Sequence, residues 1–193
     1  MSSAAEQLKK VVFQRVKPTE EEWQDFISHW QPFSFPKNHI ITDFGQIEPY
    51  FYFVHKGVIR GYFEKGTEEY SIGFSYDGEF SGVFDSFVMQ KPAQYCLETI
   101  SDCDGLKITH GDLNALYDRY KVFERWGRIF SEMILCGFGA YIQSILADSA
   151  EERFNRLFAN APQVFQLIPQ KHLASYLGMT PETFSRMRKK TMG

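Results

Sequence analysis

The stretch from Gln170 to Lys190, QKHLASYLGMTPETFSRMRKK, restricts the fold more than any other part of the chain. Leu173, Ala174, Leu177 and Met179 are apolar. Gly178 stands where a helix would stop, because glycine tolerates the left-handed backbone of a helix C-cap. Thr180 then caps a new helix, with Pro181 at its first position, where the missing N–H costs nothing. Glu182 follows in the first turn, where the helix dipole favours negative charge. Ala174 lies four residues before the glycine and Phe184 six after it. A small residue at the first position lets two helices cross closely, and a large one at the second seals the pair. This spacing predicts a helix-turn-helix, with Phe184 and Met187 turned inward.

The outward face of the second helix is then Thr180, Pro181, Glu182, Ser185, Arg186 and Lys189. Arg186 suits the O6 and N7 acceptors of guanine, and Glu182 can accept from cytosine N4. Arg188, Lys189, Lys190 and His172 are expected to meet phosphates or stay solvated. The expected partner is double-stranded DNA. Charge is divided in the same sense. Residues 1–150 hold 14 Lys/Arg against 21 Asp/Glu, whereas residues 151–193 hold 7 against 3. An acidic body with a basic tail fits a tail that meets phosphate, although a solvated basic terminus would show the same balance.

Upstream the texture differs. Thr19-Glu20-Glu21-Glu22 is a capping-box pattern, and Trp23, Phe26, Ile27 and Trp30 follow at helical spacing, so a helix is expected over 19–30, ended by Pro32 and Pro36. From Asn38 to Ile108, short aromatic and β-branched runs alternate with turns. The runs are His39–Thr42, Phe51–His55, Val58–Phe63, Glu69–Phe74, Cys96–Ile100 and Leu106–Ile108. Short strands at such intervals predict an antiparallel roll or sandwich. After Gly111 the period becomes helical, first from Asp112 to Tyr120 and then from Phe123 to about Leu146. The second helix would be a rod of roughly 36 Å. Its apolar positions form a stripe wider than one partner needs. One edge can pack on the chain's own β domain while the other, with Phe130, Ile134, Gly137, Phe138, Tyr141 and Ile145, meets a second subunit. A third helix is expected from the Asp148-Ser149 start signal to Asn160, and a short connector from Gln163 to Ile168.

The resulting fold class is α+β: an N-terminal antiparallel β-roll (1–111), connecting helices with a long dimerisation helix (112–147), and an all-α, winged-helix-like helix-turn-helix domain (148–193). Residues 1–10 lack an apolar signal core, and no stretch is expected to reach bilayer-spanning length. The chain reads as cytoplasmic and free of membrane. Hydrophobic content of 44% is ample for a core.

The chain resembles the Crp/Fnr superfamily of transcription regulators over nearly its whole length. PETFSRMRKK is similar to that family's recognition helix, in which a Glu and an Arg four residues later read bases; Glu182 and Arg186 keep the pair, and Pro181 replaces an Arg that often precedes it. FVHKGVIRGYF (53–63), YDGEFSG (76–82), DLNALYDRYKVFERWGR (112–128) and SAEERFNRLF (149–158) carry the rest, with a texture like the subgroup common in Bacteroidetes. The resemblance implies a homodimer that pairs the 123–146 helices and reads a near-palindromic operator, with RNA polymerase as a further partner. No cofactor is required, and an unidentified small-molecule or nucleotide effector is optional.

In the cyclic-nucleotide-binding relatives, a Gly-Glu segment is followed some ten residues later by Arg-Ser, whose Arg neutralises the cyclic phosphate. Here Gly78-Glu79 is followed by Ala93-Gln94. Gly78, Glu79, Phe80, Ser81, Lys91, Ala93 and Gln94 are therefore the candidate ligand residues. Lys91 is a point charge without the guanidinium fork. A buried phosphate lacking its cation costs about 3–5 kcal/mol, roughly 150- to 5000-fold in affinity, so cyclic AMP is expected to bind weakly or not at all. Phe80, Phe84 and Phe87 could instead fill the cavity.

Other classes fit less well. A jelly roll can be a cupin-type metalloenzyme, but His29, His39, His55 and His110 are isolated and form no HxH pair. Gly73-Phe74-Ser75-Tyr76-Asp77 departs from a nucleophile elbow at its last residue, and no phosphate loop of P-loop type occurs. Cys96, Cys103 and Cys136 are odd in number and too few for an iron–sulfur cluster. No catalytic residue and no metal ligand is assigned. The remaining alternative is a small-molecule-binding β-roll protein whose tail contacts protein.

Overall fold

The computed structural model describes residues 2–192. They divide into two compact units. One comprises residues up to Gly61 with Phe74–Met133, and the other comprises Tyr62–Gly73 with residues from Ile134 onward.

The first unit opens with two helices, α1 (Ser3–Phe13) and α2 (Glu20–Ser28). The Thr19–Glu22 capping box forms, the hydroxyl accepting from the Glu22 amide while the carboxylate accepts from the Thr19 amide. The sequence reading missed α1, although Ala4, Ala5, Leu8 and Val12 bury one face of it at helical spacing. Eight strands follow: β1 (Gln31–Phe35), β2 (Ile40–Thr42), β3 (Tyr50–Lys56), β4 (Ile59–Lys65), β5 (Glu68–Ser75), β6 (Phe80–Ser81), β7 (Cys96–Thr99) and β8 (Cys103–Thr109). They form two four-stranded sheets, β1-β8-β3-β6 and β2-β7-β4-β5. The expected roll is present. Pro32 does not end a helix but lies in β1, opposite Leu106. It is tolerated because β1 is an edge strand, where a missing N–H is not needed by a second neighbour.

Strand β3 explains how the unit is layered. Phe51 and Phe53 enter an aromatic core with Trp23, Phe26, Phe123 and Trp126, in which Phe26 stacks on Phe123 at 4.2 Å. Tyr52 and Val54, on the opposite face, enter a second core with Phe33, Ile59, Ala93 and Leu97. Successive side chains of a strand point to opposite faces, so a strand buried on both reads as a continuous apolar run rather than an alternating one.

Helix α3 (Phe84–Met89) interrupts the strands, and α4 (His110–Arg119) and α5 (Lys121–Ala147) follow them. Phe123, Trp126 and Gly127 anchor α5 in the first unit. Phe130 goes with them: it contacts Phe51, Phe80 and Trp126 with ring centroids 5.2–5.9 Å apart. It is thus packed, partly buried, against the chain's own core. Beyond Met133 the helix is largely exposed, with Leu135 at 73% and Leu146 at 81%. The expectation that no stretch reaches bilayer-spanning length is corrected here. α5 has 27 residues, and by length and composition alone it is long and apolar enough to cross a membrane. Glu132 is the one charge after Arg128, too little to divide the run.

The second unit carries the rest of α5, then α6 (Ala150–Asn160), α7 (Val164–Leu167), α8 (Gln170–Tyr176) and α9 (Pro181–Met192). The expected connector is the short helix α7. Among the described residues no strand follows Thr109. Among the described residues, 62–65 of β4 and 68–73 of β5, at the tip of their hairpin, are the only strand residues in this unit.

Candidate nucleic-acid interface

The C-terminal helices close on a phenylalanine cluster. Phe154 of α6 meets Phe165 of α7 and Phe184 of α9 at 5.2 and 5.3 Å, and Phe165 stacks on Phe184 at 5.8 Å. Ala174 is fully buried, which lets α8 and α9 cross closely. The turn between them is a Schellman motif. The Met179 amide donates to the Ala174 carbonyl and the Gly178 amide to that of Ser175, with Gly178 at φ +63°. A Cβ at that φ would be strained, which is why glycine stands there. Arg153 of α6 fastens the turn, donating from Nε to the Leu177 carbonyl at 2.7 Å. Thr180 caps α9 by accepting from the Thr183 amide at 3.2 Å.

Two further contacts hold α8. Ser175 Oγ accepts from the Ser71 amide at 2.9 Å and donates to the Glu69 carbonyl at 3.1 Å, joining α8 to the hairpin tip. Tyr141 of α5 stacks on Tyr176 and donates to its carbonyl at 3.0 Å. Tyr141 is therefore committed within its own chain.

With the pair fixed, Pro181, Glu182, Ser185, Arg186 and Lys189 come together with Gln170 along an open concavity of about 640 Å³. These are five of the outward residues expected from sequence. Gln170 was missed; its place at the first turn of α8, facing α9, is visible only once the two helices are crossed. Neither the Arg186 nor the Lys189 side chain has an ion pair or hydrogen bond among the described residues. Glu182 is held below its ordinary carboxylate range by its own backbone amide and the Thr180 hydroxyl. The other expected contacts lie elsewhere. His172 is buried, so it is corrected from a phosphate or solvent contact to a packing residue of α8. Arg188 is half-buried, and Lys190 is paired with Glu151 of α6 at 2.6 Å.

The sensor candidates do not converge in this way. Gly78 and Glu79 lie in the β5–β6 turn, where the Glu79 carboxylate accepts from the Tyr76 amide and burial raises its pKa. Phe80 stacks on Phe51 at 5.1 Å in the helix-side core, beside the buried Ser81. Ala93 packs between the sheets, while Lys91 and Gln94 are exposed. The aromatic side chains of the core between the sheets are Phe33, Phe35, Tyr50, Tyr52 and Tyr95, not Phe80, Phe84 and Phe87.

The polar groups around α3 have internal partners. The Val83 amide donates to Glu48, whose carboxylate also accepts from the Thr42 hydroxyl and the Tyr50 amide. Burial pushes the pKa of Glu48 up against these donors. The Phe84 amide donates to the Tyr95 hydroxyl, whose pKa burial pushes up to about 12. Apart from these, Arg60 of β4, 1% exposed, pairs with Glu98 of β7 at 2.8 Å. Sequence reasoning found none of Glu48, Tyr95 or the Arg60–Glu98 pair. Among the described residues no group of three His, Cys, Asp or Glu could hold a metal ion.

The two-sheet roll, the long helix and the C-terminal helix pair define a cyclic nucleotide-binding fold joined to a helix-turn-helix. No protein-family model matches the sequence, and no curated protein matches it. Solved structures do, among them regulators of the Crp/Fnr family. The c-di-GMP responsive global regulator CLP of Xanthomonas campestris is 18% identical over 90% of this chain and 92% of its own, with a TM-score of 0.67. FixK2 from Bradyrhizobium japonicum gives 19% over 84% of each chain, with a TM-score of 0.71. The catabolite activator protein of Thermus thermophilus gives 20% over 94% and 86%, with a TM-score of 0.59. The chain has their fold.

Proposed function

We propose that the chain is a dimeric DNA-binding transcription regulator of Crp/Fnr type, with α9 as its recognition helix and no enzymatic role. The observation that carries this reading is the row of outward side chains on α9, with Arg186 and Lys189 unpaired, on a fold that known regulators share. Arg186 reads guanine and Glu182 cytosine in the major groove, while Ser185 and Lys189 position the helix. Two copies pair through the exposed half of α5, using Ile134, Gly137, Phe138 and Ile145. A twofold dimer then presents its recognition helices to half-sites about 34–36 Å apart. Pairing is favoured over insertion in a membrane because Tyr141, on the same stretch, already packs on protein. RNA polymerase is a further partner on this reading, and the segments 1–111, 112–147 and 148–193 keep their roles as sensor, connector and DNA-binding domain. The Bacteroidetes-like subgroup rests on sequence texture alone.

The region around α3 is a degenerate sensor. Ala93 and Gln94 offer no cation to a cyclic phosphate, so cyclic AMP binds weakly or not at all; micromolar binding by calorimetry would overturn this. Selection of bound fragments from genomic DNA, repeated across a salt series, tests the main reading. Near-palindromic fragments should be enriched, with affinity falling steeply as salt rises because phosphate contacts release counterions. No enrichment, or binding indifferent to salt, would leave a tail that contacts protein.

A further inference from the structure

The first unit contains a concavity of about 730 Å³ that no part of the DNA-binding reading uses. Arg15, Lys17, Lys121, Arg125 and Arg128 line it together with Glu124. The unit as a whole has 13 Lys/Arg and 17 Asp/Glu, so its positive charge is gathered here against an acidic remainder. Arg128 is paired with Glu132 at 2.6 Å. The side chains of Arg15, Lys17, Lys121 and Arg125 have no ion pair or hydrogen bond among the described residues. They come from two separate segments, one just after α1 and one in the first turns of α5, which the fold brings to the same hollow. Charges of one sign on a solvated face can splay apart. In a recess they repel one another and focus a positive potential. The N-terminal end of the 27-residue α5 adds to that potential.

We propose that this hollow binds a small oligophosphate, a molecule with two or three contiguous phosphate groups such as a nucleoside di- or triphosphate. Its volume lies within the roughly 300–1,000 Å³ of small-molecule sites. Four unpaired cations from two segments exceed what one phosphate can contact and match a chain of two or three. Val16 and Val122 supply an apolar wall against which a base or alkyl group can rest. A recess suits a compact anion, whereas a duplex presents its phosphates along the outside of a rod.

The test is calorimetric titration of the full-length protein with inorganic tripolyphosphate, pyrophosphate and orthophosphate at physiological salt. Tripolyphosphate should saturate one site per chain, with pyrophosphate weaker and orthophosphate weakest. Arg125→Ala and Lys121→Ala should each weaken tripolyphosphate by about tenfold, the scale of one charge-assisted contact. Both residues are exposed, so unchanged thermal melting should show that the fold survives. Lys37→Ala removes an exposed cation elsewhere in the unit and should leave binding intact. Absence of saturable binding overturns the proposal, as does an equal loss in Lys37→Ala, which would mean diffuse attraction. If tripolyphosphate fails to bind but Arg125→Ala weakens DNA, the hollow serves nucleic-acid backbone and the proposal is wrong.

Discussion

The α3 region and the α9 face are both rich in polar groups, but only one of them leaves those groups unused. Around α3, Glu48 takes three donors and Tyr95 takes the Phe84 amide, and elsewhere in the first unit Arg60 of β4 is matched by Glu98 of β7. On α9, Arg186 and Lys189 stand exposed and unpaired beside Glu182 and Ser185. Both arrangements obey the same physics. A buried polar group must find a partner within the fold, and an exposed one can wait for a partner from outside. The difference separates a region that holds itself together from one arranged to be completed by something else.

The contrast is broken most severely at the Arg60–Glu98 pair. Glu98→Ala removes one carboxylate from a guanidinium that is 1% exposed. Removing one partner of a buried pair typically costs about 3–5 kcal/mol. Denaturant unfolding of Glu98→Ala should show a loss of that size, and a loss below about 1 kcal/mol, the value of a surface pair, would mean that the other contacts of Arg60 hold it without Glu98.

On the α9 side the expected effect is smaller and falls on binding rather than stability. Arg186→Ala should cost about 1–3 kcal/mol at one base position and relax specificity there, with the melting temperature unchanged. Footprinting on operator variants separates the outcomes. An equal loss on every sequence would make Arg186 a phosphate contact. Lys190 offers the internal comparison, since its pairing with Glu151 already gives it a partner that Arg186 lacks.

This contrast also explains what could be read from the sequence. The helix-turn-helix was legible because its determinants are local: Ala174, Gly178, Thr180 and Phe184 lie within eleven residues and each has a distinct conformational or packing role. The α9 face followed once Phe184 was placed inside. His172 misled because its type suggests phosphate, while its burial is set by the crossing of α8 with its neighbours. Around α3, and at the Arg60–Glu98 pair of β4 and β7, the determinants are remote in sequence. Glu48 meets Val83 35 residues away, and Arg60 meets Glu98 at a separation of 38. A carboxylate in an ordinary-looking loop gives no local sign that it will be buried. β1 was lost for a similar reason, because Pro32 is acceptable in a strand only if that strand is known to be an edge.

Ser175 sharpens the comparison from within the second unit, since its hydroxyl is fully engaged although it lies on α8, beside the exposed face. Ser175→Ala removes both bonds to the hairpin tip at Glu69 and Ser71. At roughly 0.5–1.5 kcal/mol for each bond, a loss of about 1–2 kcal/mol is expected. Hydrogen exchange should speed up at hairpin residues 69–71 more than in the Phe154–Phe184 cluster. Uniform acceleration would show that the hairpin contact is no separate support for α8.

The smallest expected effect concerns Glu48 and is read as a slope. Glu48→Gln keeps the volume but turns one acceptor oxygen into a donor, costing one of three bonds, about 1 kcal/mol. Its more telling consequence is with pH. Burial raises the folded-state pKa of Glu48 above 4.5, so the folded protein binds this proton more tightly than the unfolded chain does. The stabilisation from that proton is complete below pH 4.5 and is lost as pH rises through the raised value. The glutamine has no proton to lose. Subtracting the two stability-against-pH curves cancels the lowered carboxylates Asp25, Asp112 and Glu152, which act in the opposite sense in both proteins. The wild type should lose stability relative to Glu48→Gln as pH climbs above 4.5. Parallel curves would mean that Glu48 ionises as easily inside the fold as outside it, and that the closed network around α3 is open to water.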